Sequence, residues 1–114
     1  MITKDPELTE RLRALSRCGG EVRFADLAPG DWDRVHVFGE GVTRERVERT
    51  LGSPVPMDEF FMTSGHLLAF QRGAQVRRIV LSTPANLATG SYSADAVLRV
   101  DAPLRPAIIR VVEP

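Results

Sequence analysis

The stretch GDWDRVHVFGEGVTRERVERTLG, residues 30–52, constrains the fold more than any other part of this chain. From Asp33 to Phe38 the side chains alternate, with Val35 and Val37 on one side and Arg34, His36 and Phe38 on the other, which is the period of a strand. Gly39-Glu40-Gly41 ends that run. Thr43 then stands where an N-cap belongs, and Val42 is placed to staple onto Val47. Glu45 precedes Arg49 in the favourable i,i+4 order, and Gly52 followed by Pro54 closes the helix. A strand handed directly to a short capped helix predicts a mixed fold in which the helix lies back across a sheet.

The remaining punctuation extends that frame. Asp5 caps a first helix over residues 5–18, Pro6 occupies its first position, and Leu8, Leu12 and Leu15 form one apolar stripe. Gly19-Gly20 stops it. Residues 66–71 and 75–82 read as two strands of a hairpin joined at Arg72-Gly73-Ala74, and residues 96–100 and 107–112 as two further strands around a proline-containing turn. The expected class is α+β, an antiparallel sheet of four to five strands with two helices packed on one face. Residues 53–65 and the polar run TPANLATGSYSA read as irregular.

Length and composition bound the function. A chain of 114 residues is expected to form a single domain, 1–114, with a core of its own. Fifteen basic residues balance fifteen acidic ones, so no overall field steers nucleic acid or an anionic membrane toward the chain. All the basic residues except Lys4 are arginines, interleaved with acids rather than gathered in a patch. The single Cys18 makes no internal disulfide. No run approaches the ~18 apolar residues of a membrane-spanning helix, and the charged N-terminus lacks the apolar core of a signal peptide. Arg17 stands before Cys18 where a lipoprotein cysteine needs a small residue. A cytoplasmic chain without membrane insertion is the expectation, an exported form requiring a leader ahead of it.

Catalytic and metal motifs are not the strength of this sequence. His36 and His66 are 30 residues apart with no HxxxH, HExxH or CxxC spacing, so no metal or cofactor site is expected. Ser64 and His66 stand close in sequence without an orienting acid. Cys18 lies in a last helical turn, whose negative dipole end disfavours a thiolate. No catalytic residue is assigned on these grounds. Binding is better supported. Trp32, flanked by Asp33 and Arg34, reads either as a cover over one end of the core, with Asp31 or Asp33 capping the turn, or as a recognition patch. Phe60 and Phe61 sit in VPMDEFFM, which reads either as a helical turn docking Met57, Phe60 and Phe61 on the sheet or as an exposed apolar ledge.

Residues 24–27 (FADL), 30–38 (GDWDRVHVF) and 45–52, with Phe70 in the following hairpin, resemble a scattered group of small, often lipoprotein-like bacterial α+β proteins that carry a Trp-Asp strand. The arrangement is also similar to small α+β domains of outer-membrane assembly lipoproteins and β-lactamase inhibitor proteins, which act by binding proteins. His36 departs from that pattern at a position where an aromatic residue is usual, and Gly39-Glu40-Gly41 replaces a Pro-Tyr turn. The resemblance covers about residues 24–81 and implies fold more than activity.

Taken together, these readings predict a non-enzymatic protein that binds another protein through Trp32, Asp33, Arg34, Phe60 and Phe61 or through an open sheet edge, as an inhibitor or immunity-type protein would. Self-association into a homodimer is left open. The alternative is a small-molecule sensor or enzyme using His36, His66 and the 82–94 loop.

Overall fold

The computed structural model describes residues 2–62, 65–82, 86–100 and 108–113. In chain order the elements are β1 (Ile2–Lys4), α1 (Pro6–Cys18), β2 (Gly20–Arg23), α2 (Phe24–Leu27), β3 (Arg34–Gly39), α3 (Arg44–Leu51), β4 (His66–Arg72), β5 (Gln75–Ser82), β6 (Asn86–Leu87), β7 (Gly90–Ser93), β8 (Val97–Val100) and β9 (Ile108–Val112). They build an α+β fold with two sheets. The first has the order β1-β5-β4-β3-β7 and the second β2-β8-β9-β6. Two short pairings, β1 with β5 and β6 with β9, are parallel; the others are antiparallel.

The helices form where their termini are satisfied locally. The Asp5 carboxylate accepts from the Leu8 N–H at 3.0 Å, and Leu8 and Leu12 are buried beneath. Gly19 and Gly20, at φ 75° and 109°, turn the chain out of α1 straight into β2, a path a side-chain-bearing residue takes only under strain. Thr43 caps α3 by accepting from the Arg46 N–H at 3.1 Å. At the β4–β5 turn Gly73 takes φ 57°, the positive value a two-residue hairpin loop demands at its first position.

The five-stranded sheet is covered on both faces, which is why its central strands carry nearly unbroken buried runs instead of a clean alternation. One face presents Val35, Val37, Leu68, Phe70 and Val80 to α1, α2 and the second sheet, whose Leu98, Val100 and Ile109 complete the first core. The other presents Phe38, Leu67, Ala69 and Ile79 to Val47 and Leu51 of α3 and to Val55 and Phe61. The expected class and strand number are therefore those found, while α1 and α3 lie on opposite faces and not together on one. The reason is the second sheet, which occupies the face beside α1.

Two further expectations change. The run 82–94 is not wholly irregular, since it contains β6 and β7. Its residues 83–85, like Ser64, Ala107 and the turn before β9, lie outside the described residues. In addition, β5 carries a bulge: Phe70 pairs with Arg78 and Gln71 with Val76, leaving Arg77 as the extra residue.

Candidate functional site

The residues singled out from the sequence fall at opposite ends of β3. Trp32, Asp33 and Arg34 stand at its start, while the turn after its end is bonded to Phe61, with Gly41 N–H donating to the Phe61 carbonyl at 2.6 Å. A six-residue strand at about 3.3 Å per residue puts roughly 20 Å between the two groups, so they do not form one patch.

At the first end Trp32 is buried. Its indole N–H donates to the Ala28 carbonyl at 2.7 Å, and its ring meets Phe70 and Phe24 edge-on at centroid distances of 4.9 and 5.8 Å. It is the core cover, and the recognition reading fails because no face of the ring is left for a partner. The acids beside it hold the β4–β5 hairpin. Asp33 accepts from the Gly73 N–H at 3.2 Å, and Asp31 is bonded by Arg72 at 2.6 Å and by Arg77, the residue the bulge re-aims. The Arg77 hydrogen bond holds the Asp31 carboxyl below its ordinary range; partial burial opposes this and the Arg72 charge adds to it. The sequence marked Asp31 or Asp33 as a turn cap; Asp33 does cap a turn, but one 40 residues away, while Asp31 pairs with arginines. Arg34 is exposed.

At the other end the chain is extended and not helical, so consecutive side chains diverge. Val42 and Arg44 clasp it through Phe61 N–H to Val42 C=O (2.9 Å) and Arg44 N–H to Glu59 C=O (2.8 Å). Phe61 enters the second core at 8% exposure, whereas Phe60 is 50% and Met62 72% exposed. The expected docking of both phenylalanines is thus half met: Phe61 docks and Phe60 does not. Beside them runs a groove of about 820 Å³ lined by Ile2, Val55, Met57 and Leu81, with Arg44, Asp58 and Glu59 supplying its charges.

A third feature was not readable from spacing. His36 is buried on the α3 face of the sheet, and its two ring nitrogens meet Gln71 Oε1 at 2.8 Å and Ser91 Oγ at 2.6 Å. For a neutral imidazole the direction of this chain is set from its buried end. The Leu51 carbonyl only accepts, so Gln71 Nε2 donates to it at 3.0 Å and turns its oxygen to His36. That oxygen only accepts, so the neutral imidazole carries its proton on Nε2 and its lone pair on Nδ1, where the Ser91 hydroxyl donates into it. Ser91 is itself exposed. It lines a second groove, of about 730 Å³, together with Thr89, Gly90, Thr50, Arg46 and Glu40. Strand register brings the group together: His36 pairs with Ser91 on one side and with Ala69 on the other, and Gln71, two positions beyond Ala69, shares their face.

His66 does not join this group. Three positions from Ala69 along β4, it points to the opposite face, and its Nε2 accepts from the Leu87 N–H at 3.3 Å. Its Nδ1 and the Oγ of its register partner Ser82 are both buried and have no hydrogen-bond partner among the described residues. Among the described residues no three His, Cys, Asp or Glu side chains gather to hold a metal ion, and no helix is long and apolar enough to cross a membrane. Compared with protein-family models, with curated proteins and with solved structures, the chain matches none.

Proposed function

We propose that this chain is a protein-binding module whose contact face is the ledge of Phe60 and Met62 beside the groove lined by Ile2, Val55, Met57 and Leu81. The observation that carries this is the division of labour within three consecutive residues: Phe61 anchors the segment in the core while Phe60 and Met62 are held outward by a backbone bonded at Val42 and Arg44. Two large apolar side chains displayed on a tethered segment lose little entropy on binding, which favours a specific contact. A partner offering an apolar anchor flanked by a basic side chain fits the groove, since the two acids Asp58 and Glu59 outnumber Arg44 there. β1, terminal in its sheet, contributes Ile2 to the same groove and leaves a strand edge beside it.

The resemblance to outer-membrane assembly and β-lactamase-inhibitor domains points the same way, and an inhibitor or immunity-type role is one form of this reading. The test is site-directed photo-crosslinking in source cells, with benzoylphenylalanine at position 60 and, as control, at position 34. One protein trapped from position 60 and not from position 34 supports the reading. Equal, diffuse products from both positions contradict it.

A further inference from the structure

The polar chain Leu51–Gln71–His36–Ser91 begins inside the second core and ends at solvent. A buried histidine needs partners for both nitrogens, and a serine across the strand pair is a sufficient one. Yet this arrangement does more than satisfy His36. It selects one tautomer of the neutral imidazole, points that ring's lone pair at a hydroxyl 2.6 Å away, and leaves that hydroxyl open to a groove. Those are the geometric requirements for an activated nucleophile: a base in hydrogen-bond contact, a third group orienting the base, and access for a substrate.

We propose that Ser91 is a nucleophile toward small carboxylic esters, with His36 as its base and Gln71 as the positioning residue. Ser91 Oγ bonds to the ester carbonyl carbon while its proton passes to His36 Nδ1. The tetrahedral adduct collapses, the ester C–O bond breaks, and the departing alcohol takes that proton. Water then attacks the acyl-Ser91, delivers a proton to His36 and releases the carboxylic acid, and the proton returns to Ser91. Arg46 is the only cation among the described residues that line the groove, and it supplies positive charge to its rim. Gln71, being neutral, orients the imidazole without the charge a carboxylate would place beside the imidazolium. Both acylation and deacylation pass through that imidazolium, so each is slow, and the reaction is best observed with a probe that leaves a stable covalent adduct. This activity is independent of the Phe60 ledge.

The first arm of the experiment is mass-spectrometric mapping of the wild-type protein after exposure to a fluorophosphonate, a probe that captures nucleophilic serines without needing the natural ester. Modification concentrated at Ser91 is expected; Ser91 modified no faster than exposed serines elsewhere would overturn the proposal. The second arm uses Ser91→Cys, which preserves size and leaves exposed Cys18 as an internal reference on the same molecule. With iodoacetamide, the new thiol should react at least about tenfold faster than Cys18, a modest share of the ~10²–10⁴-fold that a positioned base contributes. The advantage should vanish in S91C/Gln71→Leu and persist in S91C/Gln71→Glu, which a merely structural glutamine would not produce. Equal rates at the two thiols would show that His36 does not activate this position.

Discussion

The two faces of the five-stranded sheet are built on different terms. The face toward the second sheet is closed by aromatic packing, with Phe24, Trp32 and Phe70 in mutual edge contact, and the Trp32 N–H finds its acceptor within four residues. The face toward α3 is thinner, covered by eight helical residues and a tethered loop. It encloses a histidine, carries a glutamine across to the Leu51 carbonyl, and leaves Phe60 and Met62 outside. A face that can be sealed by large apolar side chains holds the fold together; the one that a single short helix cannot cover keeps polar groups and exposed apolar surface, and both candidate sites lie on it.

Opening the sealed face should have the largest effect on stability. Phe24→Ala removes a fully buried ring shared by Trp32, Phe70 and Tyr92, and should cost about 3–5 kcal/mol in urea unfolding. A loss near 1 kcal/mol would mean that the aromatic cluster is not the keystone. Next in size is the pair on the other face: Phe61→Ala should lose about 3 kcal/mol, and Phe60→Ala should stay within about 0.5 kcal/mol of wild type. Similar values for the two would erase the inward–outward division on which the ledge depends.

Gln71→Leu keeps the volume but strands the Leu51 carbonyl and frees the His36 tautomer, at a cost of about 1–3 kcal/mol in the same assay. The smallest effect is alkaline. Burial first, and the Glu113 carboxylate second, raise the Tyr92 phenol above its ordinary range. The neutral phenol, donating to the Ala88 and Thr89 carbonyls, is the form the fold favours. Its contribution is intact below about pH 10 and is lost as pH rises through the raised folded value. Thermal unfolding scanned from pH 8 to 11.5 should fall more steeply for wild type than for Tyr92→Phe.

How far the sequence discloses this arrangement depends on range. α1 and α3 are legible because Asp5-Pro6, Thr43 and Gly52 act within one turn, and the β4–β5 hairpin because Gly73 marks its loop. β1 is not, since three residues pair in parallel with Ile79, Val80 and Leu81 and nothing near Ile2 announces them. β7 is masked by its own composition: Gly90, Ser91 and Ser93 have little strand propensity, and the edge position is secured by Glu113, which accepts from the Ser93 N–H at 2.7 Å. The same distance effect hides the Ser91–His36 contact, 55 residues apart, while Trp32 as a cover for the core follows from its size and position alone.

The central claim, that the α3 face displays Phe60 for recognition while its neighbour Phe61 holds the fold, is tested most directly by titration calorimetry of the crosslinked partner against wild type and Phe60→Ser. At least about a 30-fold loss of affinity is expected for Phe60→Ser, the mark of an aromatic hot spot worth about 2 kcal/mol or more, with the unfolding midpoint unchanged. Equal affinities for the two proteins would contradict it.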